Sequence, residues 1–408
     1  MTSTALPRRQ HKTVSELLRG DFGRVLVHVL CWQLAMTLLG VLMEQMLGVG
    51  GKYTGDVAPA GANLLTHTYR WDAAWFRDIV LHWYQFRAQE PVFYPVFPLA
   101  VLLVNWLSLG TAGLLVSGLV VNTVSSWLAV TALVKIVRYH VDGPHERRLA
   151  LLAFLAAPAA FFLHMFYSEA VFVAFAFWAY LFALRRQWRA MALCMIPMMA
   201  TRVTAVLFLG LCFLEFWRAG QWRPRALLSW NLLWFPVGLA GLGLYALFLH
   251  AVTGDALGMF TAYHKGPDWA YHVFNLNFPG TILDQVRQLW RELTGVDQVY
   301  VRTFTDRLLP LPYLAVTAAS SVYLLVVRRS AAVPLAAFGF ASIVMFTLNS
   351  NLISVYRYLL PCITIYIALA ELVGRRPSWR YPVYGLLVCG GAFQVALVAT
   401  FVCYRWAG

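Results

Sequence analysis

Long apolar segments separated by short polar turns run through the whole sequence and determine the expected fold. A helix needs about 20 mainly apolar residues to cross a bilayer, with about 17 as the lower limit. The segments lie near residues 25–47, 96–109, 114–137, 149–166, 168–184, 191–201, 203–217, 227–252, 308–327, 332–348, 355–372 and 382–403. Several are too short to cross alone, so we expect some short or re-entrant helices. The pattern predicts an all-α polytopic membrane protein, one domain over residues 1–408 with about 10–11 membrane segments.

Composition points the same way. Hydrophobic residues make up 60% of the chain and charged residues only 12%, whereas a soluble domain carries about 25% charged residues. The apolar run over residues 25–43 follows basic residues and is followed by Met43-Glu44-Gln45-Met46. A cleavable signal peptide has a shorter apolar core and small residues after it, so we expect an uncleaved first helix.

Most of the basic residues lie in clusters between the apolar segments. The clusters are Arg8, Arg9, Lys12, Arg19 and Arg24; Lys135, Arg138, Arg147 and Arg148; Arg185, Arg186 and Arg189; Arg218, Arg223 and Arg225; Arg328 and Arg329; and Arg375, Arg376 and Arg380. Cytoplasmic loops of membrane proteins carry such an excess of Lys and Arg. The net charge of +14 therefore reflects topology, and we expect no nucleic-acid partner.

The positions of the basic clusters predict where the chain turns on the other side. If all clusters are cytoplasmic, outer turns fall at residues 166–169, 200–202 and 349–357. The two long polar stretches then lie together on the outer side, as a first loop over residues 48–94 and a second over residues 253–307. Both contain amphipathic or aromatic stretches, so we expect interfacial helices rather than disorder.

The first outer loop contains a candidate interfacial helix. Within residues 69–86, Trp71, Trp75, Ile79 and Trp83 are three or four positions apart and share one helical face. Tryptophan is enriched in the headgroup layer of membranes. The spacing predicts an amphipathic helix that lies along the outer surface.

Each predicted outer turn or loop holds a charged residue at an energetically costly depth. A charge near the bilayer centre costs on the order of 2.5–3.5 kcal/mol on insertion scales, and such residues usually face a partner or a water-filled cavity. Asp72, Glu169, Arg202 and Arg357 converge on one outer cavity under this topology. Two acids and two arginines there suit an anionic lipid headgroup as ligand.

Ordinary structural roles are the alternative for the same four residues. Asp72 would then cap its helix or pair with Arg70, Glu169 would be an exposed loop acid, Arg202 would extend to the interface, and Arg357 would be an interfacial anchor. Contacts between these side chains decide between the two interpretations.

Five short motifs, in order along the chain, resemble the PIG-V-type mannosyltransferases of the GT-C superfamily. They are Trp71-Asp72 with Trp75-Phe76 and Ile79; Tyr94-Pro95, Phe97-Pro98-Leu99; Phe166-Tyr167-Ser168-Glu169-Ala170; Thr253-Gly254-Asp255-Ala256-Leu257; and Tyr356-Arg357-Tyr358 with Pro361. There is one departure: the family typically follows Ala-Thr-Arg with Pro, Asn or Ser, and Gly. Here Val203-Thr204-Ala205 follows Arg202, which leaves the choice of acceptor open.

The resemblance implies a GT-C-type helical bundle that moves mannose from a polyprenyl-phosphate-linked donor to a hydroxyl, with inversion. The expected acceptor is a lipid-linked or cell-envelope glycan, and a protein acceptor is also open. The active site is expected on the non-cytoplasmic face of a bacterial plasma membrane, or of the endoplasmic reticulum membrane in a eukaryote. Donor, acceptor and membrane lipids are the expected partners, and no cofactor is expected.

The resemblance also suggests site residues. Asp72 is the expected catalytic base, since a carboxylate can accept the proton of the acceptor hydroxyl. Arg202 and Arg357 are the expected phosphate contacts, since guanidinium groups bind phosphate oxygens in pairs. The remaining substrate-binding candidates are Arg70, Trp71, Tyr94, Tyr167, Ser168, Glu169, His264 and Tyr358.

Two other functional classes fit the same charge pattern. A transporter of a lipid or anionic solute also needs buried charges along its pathway, although no symmetric repeat of the short helices is visible. A catalytically silent partner subunit is the third possibility. A metal site at His264, His272, Asp255 and Asp268 is not expected, because their spacing matches no tight ligand motif, and the six cysteines contain no C-x-x-C pair.

Overall fold

The computed structural model describes residues 21–47, 64–265, 275–349 and 351–407, and these residues form helices joined by turns and short 3-10 segments. The α-helices are α1 Asp21–Leu47, α2 Asp72–His82, α3 Val96–Leu107, α4 Gly113–His140, α5 Pro144–Leu155, α6 Glu169–Leu184, α7 Trp188–Met199, α8 Ala205–Ala219, α9 Trp234–Thr253, α10 Gly258–Thr261, α11 Phe278–Leu293, α12 Pro310–Arg328, α13 Val333–Thr347, α14 Val355–Tyr358, α15 Ile363–Arg375 and α16 Arg380–Val402. No strand occurs among them, so the predicted all-α class is confirmed.

Five helical stretches in the described part of the chain are long and apolar enough to cross a membrane. They run over Phe22–Leu47, Gly113–His140, Trp230–Thr253, Thr303–Thr347 and Pro377–Val402. The fourth includes both α12 and α13. Shorter apolar helices, among them α3, α6 and α7, lie between these stretches. The chain is an integral membrane protein, and the predicted number of 10–11 membrane segments stays a prediction.

Helix α6 is the centre of the bundle. Its residues from Glu169 to Ala183 are nearly all buried, because α4, α7 and α8 pack around it. Small and aromatic residues alternate along it, so Ala176 and Ala179 admit close neighbours while Phe177 fills the space between them. A helix that is apolar on every side is typical of such a central position.

Two predicted helices are interrupted by proline. The segment 149–166 ends as an α-helix at Leu155 and continues as the 3-10 segment Pro158–Leu163. The segment 355–372 is divided into α14 and α15 around Pro361. Proline lacks an amide hydrogen and disfavours helical geometry in the preceding residue, so both breaks follow from the local sequence. Hydropathy alone did not predict them.

The basic clusters of three predicted cytoplasmic turns meet at one end of the bundle. Arg328, at the end of α12, donates to Glu371 of α15 at 3.1 Å and also bonds His140 at the end of α4. Arg375 reaches the same carboxylate at 2.6 Å. These turns therefore share one end of the fold, as the charge pattern predicted.

The loops at the other end carry two helices. Helix α2 covers most of the predicted 69–86 helix, ends at the left-handed Trp83, and buries Phe76 and Ile79 against the bundle. Its placement in the headgroup layer stays a prediction. Helix α11 is amphipathic and exposes Leu283, Val286 and Trp290. Parts of both long loops, residues 48–63 and 266–274, lie outside the described residues.

Candidate active site

Asp72 is held at the start of α2 by an unusual backbone turn. The preceding Trp71 has a φ of 54°, a conformation that bulky residues rarely adopt and that costs on the order of 1–3 kcal/mol. The turn directs the Asp72 amide to the hydroxyl of Tyr167 at 3.1 Å, and this hydroxyl donates to the carbonyl of Arg70 at 3.1 Å. The acid is thus fixed to the α6 turn by its own backbone.

Glu169 begins α6 directly after Ser168. Its side chain is 3% exposed, and its position in the first helical turn favours a negative charge through the helix dipole. One carboxylate oxygen, Oε1, accepts from both Arg202 and Arg357. Glu169 is therefore a buried anion shared by two guanidinium groups rather than an exposed loop acid.

Arg357 connects the two acids. Arg357 lies in the short helix α14, which is preceded by the left-handed Ser354 with a φ of 60°. The Arg357 Nε donates to Glu169 Oε1 at 2.5 Å, and its Nη2 donates to Asp72 Oδ2 at 2.9 Å. The guanidinium plane also lies over the ring of Phe162 at 4.5 Å. The side chain is only 4% exposed, so it is a core cation and not an interfacial anchor.

Arg202 is the more accessible of the two arginines. It lies at the turn between α7 and α8, bonds Glu169 through Nη1, and is 16% exposed. Its guanidinium lies 5.4 Å from the ring centre of Tyr358. Since a guanidinium has five N–H donors, the bond to Glu169 leaves donors for an incoming anion.

The four charges form one closed cluster with equal numbers of acids and bases. Pairing of this kind is required when ions leave water, because an unpaired buried charge is strongly destabilising. Asp72 keeps the most contact with solvent, at 21% exposure. Burial raises the pKa of Asp72, the charge of Glu169 raises it further, and Arg357 opposes both effects. A carboxylate with a raised pKa is a better proton acceptor than an ordinary aspartate.

A narrow apolar crevice adjoins the cluster. Its walls come from α6, α8, α13 and the α14 region, and the lining includes Phe172, Phe208, Phe338, Phe346 and Tyr358. Tyr358 belongs to both features, since its ring faces Arg202 and also lines the crevice. Charged and apolar surfaces therefore meet at this ring.

Five predicted site residues lie away from the cluster or have structural contacts. Arg70 does not pair with Asp72; it pairs with Glu44 of α1 at 2.5 Å and bonds the carbonyl of Val402. Tyr94 packs at 4.9 Å from Tyr245 in a separate aromatic cluster. His264 is exposed in the second outer loop. Ser168 is buried at the start of α6, and Trp71 packs against Trp406.

Sequence reasoning missed the residues that support the cluster from outside the motifs. Glu44, Phe162 and the pair Tyr404 and Trp406 belong to none of the motifs and lie in three different segments. The aromatic residues after α16 are the one sequence signal that pointed to this pair. No group of three or more His, Cys, Asp or Glu side chains in the described ranges is arranged to hold a metal ion. His272 and Asp268 lie outside those ranges.

The fold and the cluster together define a polytopic membrane protein with a polar site built at one end of its helical bundle. Residues 29–220 match the family described as Mannosyltransferase (PIG-V), which confirms the resemblance for the first three of the five ordered motifs. The match includes Asp72, Glu169 and Arg202, whereas Arg357 lies beyond it. The match to this family supports the interpretation of the protein as a glycosyltransferase.

The fold was also compared with solved structures. The chain is similar to the Archaeoglobus fulgidus oligosaccharyltransferase in its apo form, with 12% sequence identity and a TM-score of 0.44. The similarity covers 92% of this chain and 56% of that one, so the chain spans little more than half the length of that protein. No match was found among curated proteins.

Proposed function

We propose that the protein transfers mannose from a polyprenyl-phosphate-linked donor to a hydroxyl acceptor, with inversion, on the non-cytoplasmic face of its membrane. The observation that carries the proposal is the cluster in which Arg357 bridges Asp72 and Glu169 while Arg202 binds Glu169. A partly exposed carboxylate beside two guanidinium groups supplies both a base for a hydroxyl and cations for a phosphate.

Asp72 is the residue best placed to act as the base. It is the more exposed acid of the cluster, and its pKa is raised by burial. In the transfer, the acceptor oxygen forms a bond to the anomeric carbon, the bond from that carbon to the phosphate oxygen breaks, and the hydroxyl proton passes to Asp72. Glu169 holds the two arginines in place, and its pairing with both cations favours the ionised form, so it is a poorer proton acceptor than Asp72.

The leaving group is a lipid phosphate, which needs cations more than a proton. Arg202 is the contact that an incoming phosphate can reach, because Arg357 is nearly buried between the two acids. The side chains that line the narrow crevice beside Tyr358 are mainly apolar, so a hydrocarbon chain bound at its mouth would contact apolar surface. A donor with a phosphate and a polyprenyl chain matches this pair of surfaces better than a soluble nucleotide sugar does.

Loss of Arg202 is expected to weaken use of the donor. In Arg202→Ala, donor KM rises about tenfold to a hundredfold, because a charge-assisted hydrogen bond is worth about 1.5–3 kcal/mol. Arg202→Lys recovers only part of this, since an ammonium cannot bind two oxygens in one plane. Steady-state kinetics with polyprenyl-phosphate-mannose measure the effect. Arg287→Ala, on exposed α11, is the matched control; equal KM values in both variants contradict the proposed contact.

The proposed face of the membrane is tested by labelling. Single cysteines at Gln85 and His264, both exposed near the cluster end, are expected to react with an impermeant thiol reagent added to intact cells. Cysteines at Arg186 and Arg376, also exposed, are expected to react only after the membrane is opened. The native cysteines are first replaced by serine or alanine. Labelling of position 186 in intact cells contradicts the proposed orientation.

A transporter remains the second candidate, and turnover separates it from the transferase. A transporter moves its substrate without breaking it, so mass spectrometry of the lipid extract finds the donor unchanged. The transferase releases the polyprenyl phosphate and yields a mannosylated acceptor. Purified protein in liposomes, with radiolabelled donor and extracted lipids as acceptors, gives one outcome or the other.

A further inference from the structure

Residues 403–407, which follow helix α16, contact both sides of the Asp72–Arg357 pair. On the Asp72 side, the ring of Trp406 meets Trp71 edge to face at 5.2 Å, and Tyr404 lies 6.5 Å from the same indole. On the Arg357 side, the buried Tyr356 hydroxyl donates to the carbonyl of Ala407. The residue directly before each partner of the ion pair is therefore attached to the same short segment.

Arg70 adds further links to this end of the chain. Its guanidinium lies 4.5 Å from the ring centre of Tyr404, and its Nε donates to the Val402 carbonyl at 3.2 Å. Arg70 also pairs with Glu44 of α1. The backbone that leads into Asp72 is thus attached to the end of α16 at two successive residues, 70 and 71.

The geometry of the ion pair depends on two backbone turns that are stable only with support from neighbouring contacts. Trp71, one residue before Asp72, and Ser354, three residues before Arg357, both have positive φ values. Residues in these conformations persist only when the surrounding structure holds them. Asp72 and Arg357 are 285 positions apart, so helix packing and external contacts must set their separation.

We propose that Tyr404 and Trp406 are positioning residues for transfer: they hold Trp71, and through it Asp72, in register with Arg357. The inference rests on the proposed function, since it assumes that Asp72 acts on the acceptor. The two aromatic residues act through Trp71 and do not touch the reacting atoms. Binding of the donor does not depend on these two residues. Proton transfer does, because it requires the Asp72 carboxylate within hydrogen-bond reach of the acceptor.

The test combines kinetics with hydrogen exchange on the full-length protein in detergent. In Trp406→Ala we expect kcat to fall about tenfold to a hundredfold, because a misplacement near 1 Å costs about that much, while donor KM stays within about twofold. The Asp72 amide, which donates to Tyr167, is expected to exchange faster. Peptides from the opposite end of the bundle, around Glu371, are expected to exchange as in the wild type.

Conservative and matched variants separate positioning from loss of fold. Trp406→Phe keeps an aromatic ring and is expected to recover most of the rate. Tyr356→Phe removes only the hydroxyl that bonds Ala407, and is expected to lower kcat less than Trp406→Ala. Trp379→Ala removes a half-exposed tryptophan just before α16, at the other end of the same helix, and is expected to behave as the wild type in both measurements.

The outcomes distinguish this inference from the function it assumes. An Asp72 amide that exchanges at the wild-type rate in Trp406→Ala overturns the positioning role, whatever the activity does. A rate loss that Trp406→Phe does not recover overturns it as well. Wild-type protein that never turns over polyprenyl-phosphate-mannose contradicts the proposed function instead, and the exchange comparison still decides whether the 403–407 segment holds Asp72.

Discussion

Asp72→Asn is expected to lower the rate of mannosyl transfer by about a hundredfold to ten-thousandfold, the usual cost of removing a positioned general base. Asparagine keeps nearly the same shape and can still accept a hydrogen bond from Arg357, but it takes no proton at neutral pH. Donor KM is expected to change little. Initial rates with radiolabelled polyprenyl-phosphate-mannose measure the loss.

Two variants make this result specific. Asp284→Asn changes an exposed carboxylate on α11 that pairs only at the surface, at 3.3 Å from Arg287, and is expected to keep wild-type activity. Asp78, on the same helix as Asp72, is an unsuitable control because it is buried and pairs with Arg87 at 2.9 Å. Asp72→Glu is expected to be slow as well, since one added carbon moves the base by about 1 Å. More than a few per cent of activity in Asp72→Asn assigns the base to another group.

Arg357→Ala is expected to lose both activity and stability. The change removes the cation between Asp72 and Glu169 and leaves Glu169, which is 3% exposed, with Arg202 as its charged partner. Breaking a buried ion pair by removing one partner costs about 3–5 kcal/mol. Thermal unfolding in detergent should therefore begin at a lower temperature, and transfer should fall by at least about a hundredfold because Asp72 is no longer held in place.

A matched pair at the other end of the bundle separates the two effects. Arg218 binds the buried Glu215 at 2.5 Å, so Arg218→Ala also leaves a buried acid without its cation. We expect it to lower stability while the folded fraction keeps wild-type kcat. In the Arg357→Ala background, Glu169→Gln is expected to recover part of the stability and none of the activity. Full activity in folded Arg357→Ala contradicts a role for the arginine in the site.

The sequence by itself determined the membrane class, most helix bounds and the turns at which the site lies. Apolar length and basic clusters set these features, because both act locally: a helix must be long enough to cross, and a charge must lie near water or a partner. Helices α6, α8 and α13 begin within about two residues of the predicted segments. The cost of a buried charge also explains why Asp72, Glu169, Arg202 and Arg357 were recognisable as a group.

Only the tertiary structure decided which charge pairs with which. Arg70 directly precedes the Trp71-Asp72 motif, and Arg357 lies in the motif near the end of the chain. Arg70 nevertheless binds Glu44, whereas Arg357 binds Asp72. Tyr94 belongs to the motifs but packs against Tyr245, whereas Trp406 belongs to none and packs against Trp71. Apart from the Arg70–Glu44 pair, these contacts join residues that are far apart in the sequence, 285 positions in the case of Asp72 and Arg357. Hydropathy contains no information on the packing of one helix against another. Pairing of buried ions is set by the geometry of the whole bundle, because each charge needs a partner within about 3 Å once it has left water.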